Sequence, residues 1–363
     1  MFPKWYDRWN SENPTNILGP AILVGAAGGA VFVAAAWWAF FEGPHDNVAM
    51  QTGPAGTGMH VARFVTDFER QDPSIANYFT LPPVPPTEDS LRAGDVIEGA
   101  EPLLADLTVE NYERLITAMR VWTGIEDLLE PGLENYQTVV ARSMIQMTQE
   151  LNELWGAKVN QNPGDRNVGV SCYTCHRGEP VPSHTWFKLG DVNMAAAGWS
   201  ANQNRATVQS QFTALPSDAL EKFLLEDNAI NVHDLEPRVS RANMNPATIQ
   251  DTYRTYALMN YFSNSLGVNC TFCHNTRAFY DPAQNTPQWT IASLGIIMVQ
   301  EINNDWLVPL TEEFPEDRLG PVFGDVAKVA CATCHKGYQQ PMHRLDMISD
   351  WPELATTGAP FYD

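Results

Sequence analysis

The chain has 363 residues, of which 44% are hydrophobic and 18% are charged, and its formal net charge is −21. The low charged fraction indicates that part of the chain lies in lipid, on cofactors or against other subunits. The acidic balance excludes nucleic acid as a partner, because phosphates would be repelled, and it favours basic partners.

The first predicted element is a membrane-spanning helix. Residues 17–41 contain no charged residue and are long enough to cross a bilayer. Lys4 and Arg8 precede this stretch, so the positive-inside rule predicts a cytoplasmic N-terminus at residues 1–16 and a periplasmic location for the rest of the chain. A cleaved signal peptide is the alternative, although its apolar region is usually shorter.

Helical patterns begin beyond a segment that is rich in Pro and Gly. We predict that residues 42–105 form an extended surface segment and that residues 106–363 form a periplasmic domain. Apolar residues recur at helical spacing in this domain. Four helices are expected: one starting at Thr108, one at Gln137–Val159, one before Cys270 and one at Thr290–Leu307. Strand signals are few, so the predicted fold class is mainly α with long irregular loops.

All six cysteines lie in three Cys-x-x-Cys-His units. Zinc or redox chemistry can use Cys-x-x-Cys, but three copies that are each followed directly by histidine favour c-type haem. Two thioethers attach the haem, and the histidine is an axial iron ligand. We therefore predict three covalently attached haem c groups outside the cytoplasm. The attachment pairs are Cys172 and Cys175, Cys270 and Cys273, and Cys331 and Cys334, with the proximal ligands His176, His274 and His335.

An internal repeat accompanies the haem units. The run MTQELN at 147–152 resembles MVQEIN at 298–303, and each run precedes a haem unit by a loop. This predicts a repeated helix, loop and Cys-x-x-Cys-His arrangement. A chance similarity of two amphipathic helices is the alternative.

Methionines on these helices are candidate sixth ligands. Met144, Met147 and Met259 lie on helices that lead towards haem units, although most methionines only fill cores. The repeat aligns Met147 with Met298 and therefore Met144 with Gly295. If Met144 is a ligand, the third haem lacks the equivalent methionine.

The chain resembles the cytochrome subunit of purple-bacterial photosynthetic reaction centres. The resemblance runs with gaps over residues 50–355. It is carried by ARSMIQMTQELNELW with NVGVSCYTCHRG, and by YALMNYFSNSLGVNCTFCHNT with TPQWTIASLGIIMVQEINNDWLVPL.

The resemblance implies an electron carrier and not an enzyme. Electrons would pass from a soluble periplasmic donor, such as a small c-type cytochrome or a high-potential iron–sulfur protein, to the photo-oxidised special pair of bacteriochlorophylls. The implied partners are the reaction-centre core subunits, the core light-harvesting antenna and the bacterial photosynthetic membrane.

The resemblance also implies ligand assignments. Met144 matches the sixth ligand of the Cys172/Cys175 haem, and Met259 matches that of the Cys270/Cys273 haem. The family's histidine ligand for the third haem is matched by Lys158. Lysine binds iron only as the neutral amine. The alternative is a solvated Lys158 with a distant histidine on the iron.

The family usually carries four haems, whereas this chain resembles a trihaem variant. The first attachment unit should follow the helix DLTVENYERLITAMRVW, but the sequence reads TGIEDLLEPGLENY there, without cysteine. Ile116 stands at the position of the family's methionine ligand. The missing haem is the distal one. The remaining order from the special pair would be the Cys270/Cys273, Cys331/Cys334 and Cys172/Cys175 haems.

Two alternatives use the same features. A membrane-anchored multihaem quinol dehydrogenase that feeds a periplasmic reductase would share the anchor and the haem units, but it would favour histidine ligation throughout. Met144 and Met259 argue against it. A haem peroxidase needs an open coordination site, for which the third haem is the only candidate.

Overall fold

The computed structural model describes most of the chain. The described residues are 3–12, 18–41, 47–51, 60–64, 75–159, 168–190, 202–210, 213–230, 232, 248–279 and 281–362. The chain divides into two compact units. The smaller joins Met1–Ala49 with Ala62–Phe68, and the larger joins Met50–Val61 with Glu69–Asp363.

The smaller unit contains two helices, α1 (Lys4–Glu12) and α2 (Leu18–Phe41). Within α2, the stretch Ala21–Ala39 is long and apolar enough to cross a membrane, and none of it is buried. This helix coincides with the anchor predicted at 17–41. Residues 1–2 and 13–17 of the predicted N-terminal segment and anchor lie outside the described residues.

Two short strands, β1 (Asn47–Gln51) and β2 (His60–Phe64), pair with each other. They fall within the predicted surface segment 42–105, of which residues 42–46, 52–59 and 65–74 lie outside the described residues. The remaining elements are helical, which confirms the mainly α class.

The larger unit is built from ten helices among the residues that the structure describes. They are α3 (Ala93–Val96), α4 (Val109–Thr123), α5 (Tyr136–Glu150), α6 (Gly156–Val159), α7 (Cys172–His176), α8 (Ala219–Leu224), α9 (Ile249–Leu266), α10 (Pro287–Glu301), α11 (Cys331–His335) and α12 (Met347–Asp350). The 3₁₀ turns are Ile75–Asn77, Pro102–Leu104, Cys270–Phe272, Pro282–Gln284, Val308–Leu310, Glu316–Arg318, Pro341–Arg344 and Pro352–Leu354.

Helices α4 and α9 begin and end in the same way. The Thr108 side chain accepts a hydrogen bond from the backbone N–H of Asn111, and the Thr248 side chain accepts one from that of Asp251. Both helices end at a glycine in the left-handed conformation. These caps satisfy backbone groups that a helix leaves unpaired at its ends. The predicted helix start at Thr108 and the predicted helix before Cys270 are confirmed.

The two longer predicted helices are confirmed, with an interruption that periodicity did not indicate. Helix α5 continues through a π-helical turn at Leu151–Trp155 into α6, and α10 continues into a π-helical turn at Ile302–Leu307. The two π turns occupy equivalent positions in the repeat. A single-turn π insertion widens a helix locally and is often found at functional sites.

The segment before α4 lies along that helix. Trp122 Nε1 donates to the Phe79 carbonyl at 2.9 Å, and Arg114 Nη1 donates to the Leu81 carbonyl at 2.7 Å. The Asn111 amide bonds both backbone groups of Val84. These contacts fix the proline-rich stretch against α4.

Candidate haem-binding sites

The first and third attachment units form two short helices of the same construction, α7 and α11. The Ser171 N–H donates to Thr174 Oγ1, and the Ala330 N–H donates to Thr333 Oγ1, both at 3.0 Å. Left-handed residues at Arg177 and Lys336 end the two helices. In each unit the two cysteines and the histidine occupy positions i, i+3 and i+4. These positions lie on one side of a helix, so the three side chains point to the same side.

The histidines of these units are oriented for iron. His176 Nδ1 lies 2.9 Å from the Glu179 carbonyl, and His335 Nδ1 lies 3.0 Å from the Tyr338 carbonyl. A carbonyl only accepts, so Nδ1 carries the proton and Nε2 keeps its lone pair. Burial lowers the pKa of both imidazoles and favours the neutral form that binds metal. The residues therefore fit an axial haem ligand.

Burial also acts on the cysteines. It raises the pKa of the Cys172 and Cys331 thiols to about 12. The thiolate that zinc binding or thiol–disulfide exchange requires is therefore disfavoured. This effect concerns the first cysteine of each unit; in the first unit the contact with Cys334 lowers the pKa of Cys175.

Two asparagines bind the backbone segments that lead into the first and third attachment units. Asn152 accepts from the Val170 N–H at 2.7 Å and donates to the Val170 carbonyl at 2.9 Å. Asn303 makes the same pair of bonds with Val329, at 2.9 and 3.0 Å. Each asparagine lies in a π turn, and each valine lies two residues before the first cysteine.

Two glycine pairs join α4 to α7 and α9 to α11. The Gly178 N–H donates to the Trp122 carbonyl at 2.8 Å, and a Cβ on Gly124 would lie 2.4 Å from the Gly178 carbonyl oxygen. The repeat has a first half from α4 to α7 and a second half from α9 to α11. In the second half, a Cβ on Gly267 would lie 2.1 Å from the Gly337 carbonyl oxygen. Only glycine permits these approaches.

The first and third units are neighbours in space. Helices α7 and α11 are in contact, and Cys175 Sγ lies 2.9 Å from Cys334 Sγ. The two cysteines are 159 residues apart in the chain. Haems attached at these units would therefore be adjacent.

The second unit is built differently. Cys270–Phe272 is a 3₁₀ turn, and Thr286 closes it by donating to the Phe272 carbonyl at 2.6 Å. His274 Nδ1 is buried. Burial lowers the pKa of His274, and its ring lies 5.2 Å from that of Phe279.

Comparison with known proteins agrees with this arrangement. The sequence model of the family described as "Photosynthetic reaction centre cytochrome C subunit" matches residues 42–355. The chain belongs to this family. It is 55% identical to the photosynthetic reaction center cytochrome c subunit of Roseobacter denitrificans, over the full length of both chains.

More distant relatives carry the same description. The subunit of Rubrivivax gelatinosus is 36% identical and covers 86% of this chain and 84% of its own. That of Thermochromatium tepidum is 35% identical and covers 75% of this chain and 67% of its own.

Family membership settles the general role. The chain is an electron-transfer subunit of the photosynthetic reaction centre and not an enzyme, and it carries covalently bound haem c. It associates with the reaction-centre core at the photosynthetic membrane. The quinol dehydrogenase alternative is not supported.

The candidate methionine ligands lie in separate apolar clusters. Met144, Met147 and Met298 pack against the buried side chains of Ile302 and Leu307, where α5 meets the π turn that follows α10. Met259 packs with a second cluster that includes Cys331 and Tyr261. Ile116, which the resemblance matches with a methionine ligand, is 6% exposed and packs in the apolar cluster around α4 that includes Trp122 and Leu128.

Lys158 lies on α6, at the junction of the two halves. Its side chain is exposed, and Nζ is 4.1 Å from the centre of the Trp155 ring. Trp155 Nε1 in turn donates to Glu301 Oε2 at 2.8 Å, and α6 contacts α10. The helix that carries Lys158 therefore packs against the helix that leads to the third unit.

The segment between α4 and α5 is filled by apolar side chains. Leu128 and Leu129 are 5% and 3% exposed and pack in the same cluster as Ile116, with Ile125 against them. In the second half, the corresponding segment carries Cys270.

Several residues that support the units were not singled out from the sequence. They are Asn152 and Asn303, Thr174 and Thr333, and the glycines Gly124 and Gly267. A signal existed for the asparagines, because both end the repeated run, and for the threonines, because both precede the second cysteine of a unit. The threonines bond the backbone three residues earlier, whereas the partners of the asparagines and glycines lie 18 or more residues away and were not predictable.

Proposed function

We propose that this subunit holds three haems in line and conducts electrons in one direction. Electrons enter at the Cys172/Cys175 unit, pass to the Cys331/Cys334 unit and leave from the Cys270/Cys273 unit towards the special pair. Each bound haem c supplies a one-electron iron couple. The observation that carries the order is the contact between Cys175 and Cys334.

The third and second units are also linked. Helix α9 contacts α11, and the chain leads from the end of α9 at Leu266 to Cys270 within four residues. This supports a middle position for the Cys331/Cys334 unit, with the other two units on either side of it.

The count of three haems rests on the segment between α4 and α5. It contains no cysteine, and Leu128 and Leu129 cover the face of α4 around Ile116. An apolar filling of this kind leaves neither an attachment site nor an iron ligand at that position.

We assign His176, His274 and His335 as proximal ligands and Met144 and Met259 as sixth ligands of the first two haems. Both methionines are half-buried on helices that border the haem units. Thioether ligation raises the reduction potential of a haem relative to bis-histidine ligation.

We assign Lys158 as the sixth ligand of the Cys331/Cys334 haem. Gly295 replaces the methionine that the repeat would require on α10, and nothing lies within 4 Å of the position of its Cβ. The contact of α6 with α10 supports a ligand donated by the first half. Iron binding would hold the Lys158 amine in its neutral form.

The anchor orients the subunit in the membrane. With Lys4 and Arg8 on the cytoplasmic side, α2 crosses the bilayer and the haem domain faces the periplasm. A soluble c-type cytochrome or high-potential iron–sulfur protein would supply electrons there, and the core antenna would surround the complex.

A flash experiment on native membranes tests the proposal. We expect oxidation of the haems within microseconds to milliseconds of a flash, because the special pair withdraws their electrons. A haem signal that is indifferent to light, but reduced by quinol, would contradict the assignment.

Two spectroscopic measurements test the count and the ligands. A pyridine haemochrome assay should give three haems per chain, and four would refute the missing haem. Near-infrared magnetic circular dichroism should give two His/Met haems and one of another type. Lys158→His should change only that third spectrum, to the bis-histidine type; three His/Met spectra in the wild type would exclude Lys158.

A further inference from the structure

We propose that the buried positive charge of Lys328 raises the reduction potential of the haem at Cys331 and Cys334. The inference rests on the proposed function, in which this haem is the middle one of three. It adds a residue that acts on the haem through its charge and not as a ligand.

Lys328 is held beside the third attachment unit by its backbone. The Trp186 N–H donates to the Lys328 carbonyl at 2.9 Å, and the Lys328 N–H donates to the Trp186 carbonyl at 2.8 Å. Trp186 packs in the apolar cluster that includes Ala330 and Ala332, with Cys331 against it. The position of residue 328 next to the unit is therefore fixed independently of its side chain.

The side chain of Lys328 is deeply buried. The residue is 1% exposed, whereas most lysines lie at the surface. Its Nζ contacts Asp325 Oδ2, donates to the Val326 carbonyl at 2.9 Å and lies 5.3 Å from the centre of the Trp186 ring. Replacing a buried ion pair by well-packed apolar side chains is often neutral or stabilising, so stability alone does not account for a lysine here.

The anion of the pair lies on the side away from the unit. The Asp325 side chain is 13% exposed, against 2% for that of Lys328. Asp325 Oδ2 also accepts from the Lys188 N–H at 2.9 Å, and the Asp325 carbonyl accepts from the Gly320 N–H at 2.8 Å. The carboxylate thus belongs to the preceding turn, while the ammonium lies over Trp186, which packs with the unit.

A second ion pair nearby is partly exposed to solvent. Lys188 Nζ lies 3.6 Å from Glu221 Oε1, and the two side chains are 33% and 17% exposed. Burial lowers the pKa of Lys328, and the hydrogen bond and negative charge of Asp325 oppose this lowering. Buried charges are screened less than exposed ones, so Lys328 carries the least screened of these four charges.

The other two attachment units carry no side chain at the equivalent position. The residue three before the first cysteine is Gly169 in the first unit and Gly267 in the second. A Cβ on Gly169 would lie 2.4 Å from Ile348 Cγ1, and a Cβ on Gly267 would lie 2.1 Å from the Gly337 carbonyl oxygen. An attachment unit therefore needs no charge at this position, and the lysine is particular to the third unit.

The charge acts on the iron couple by Coulomb interaction. Reduction adds one electron to the haem, and a positive charge fixed in surroundings of low dielectric constant stabilises the reduced state. Methionine ligation raises the potential of a haem, and we assign no methionine to the haem of the third unit. Lys328 would offset this missing contribution and keep the middle haem closer in potential to its two neighbours.

The test is an equilibrium redox titration of the purified complete reaction-centre complex in the dark. The haem absorbance is resolved into one-electron components, each with its own midpoint potential. Lys328→Met removes the charge and should lower the equilibrium constant for reduction of one component about tenfold, which is about 59 mV for a one-electron couple. The other two components should change by less than about twofold, because the field weakens with distance.

Two further variants separate the charge from the packing. Lys328→Arg keeps the positive charge and should leave the equilibrium constant within about twofold of the wild type, whereas Asp325→Asn keeps the cation without its anion and should raise the constant about threefold. A purely structural role would shift the potential in the same direction in Lys328→Met and Asp325→Asn, since each breaks the pair. Shifts of opposite sign are therefore specific to charge.

The matched control is Glu353→Gln, which removes a buried carboxylate from the ion pair with Arg114 of α4. It should leave the component that responds to Lys328→Met unchanged. An equal shift in this control would overturn the proposal. An unchanged or raised constant in Lys328→Met, or an unchanged or lowered one in Asp325→Asn, would also overturn it.

A pyridine haemochrome assay checks that each variant carries its haems. If Lys328→Met does not assemble, the sign of the shift in Asp325→Asn decides alone. The titration is made in the dark and does not depend on the direction of electron flow. Loss of haem oxidation by a flash in the wild type would instead overturn the proposed function.

Discussion

The two halves of the haem domain share a framework and differ in one connection. Each half has a helix ending in a left-handed glycine, a second helix with a π turn, and a short attachment helix. The first half connects its two long helices through residues 124–135, and the second through residues 267–286. The longer connection carries Cys270 and Cys273, whereas the shorter one buries Leu128 and Leu129.

Comparing the two halves shows which contacts belong to the framework that they share. The Asn152–Val170 and Asn303–Val329 bonds and both glycine pairs hold the attachment units that close each half. Of the connections between the long helices, only the first residues, Gly124 and Gly267, take part in these contacts. A haem unit can therefore be lost from that connection without disturbing the other units, provided that apolar side chains cover the exposed helix face.

The largest expected effect concerns the buried ion pair between Arg114 of α4 and Glu353 near the C-terminus, which has no counterpart at the equivalent position of α9. Arg114 Nη2 contacts both carboxylate oxygens of Glu353, at 2.5 and 2.7 Å, and Ala257 stands at the equivalent position of α9. Glu353→Gln leaves the guanidinium buried with a weaker partner, so we expect a loss of roughly 3–5 kcal/mol in the free energy of unfolding. Denaturant titration of the purified complex, followed by tryptophan fluorescence, measures this loss.

The control for this prediction is the exposed pair of Arg92 with Asp106. Asp106→Asn should cost less than about 1 kcal/mol, because exposed pairs are screened by water. Equal losses for the two variants would mean that the buried pair does not stabilise the first half.

The second effect tests whether the glycine contacts are equivalent. Gly124→Ala and Gly267→Ala each place a methyl group against a backbone carbonyl and force an unfavourable φ, of +66° and +64°. We expect each to cost about 3 kcal/mol by the same denaturant titration. Gly132→Ala, at φ +77° with no atom within 4 Å, should cost only about 1 kcal/mol. If only one of the two variants lowered the free energy of unfolding, the two halves would not share this contact as a common framework element.

The third effect is spectroscopic and tests the contrast between Met144 and Gly295. Gly295→Met supplies the second half with the methionine that the repeat lacks, into space where no atom lies within 4 Å. We expect magnetic circular dichroism of the variant to give three His/Met haems in place of two. An unchanged third spectrum would mean that the side chain at position 295 does not reach the iron.

The smallest effect concerns Ile116. Ile116→Met places a possible iron ligand on α4 without adding an attachment unit, and the change nearly conserves side-chain volume in the core. We expect a stability change below about 1.5 kcal/mol and three haems by pyridine haemochrome assay. A fourth haem in this variant would contradict the view that the connection, and not the ligand alone, excludes it.

The sequence by itself determined the features that depend on neighbours in the chain. These are the three Cys-x-x-Cys-His units, the apolar helix that contains Ala21–Ala39, the long helices and the absence of cysteine between α4 and α5. They follow from spacing and periodicity, because a covalent attachment motif and a helix face are both local properties.

Only the tertiary structure decided what lies next to what. It brought Cys175 to Cys334, joined Arg114 to Glu353 across 239 residues, and set α6 with Lys158 against α10. It also left Val121 exposed on α4. These outcomes depend on how two similar halves pack together, and no local pattern encodes the surfaces that packing covers or leaves exposed.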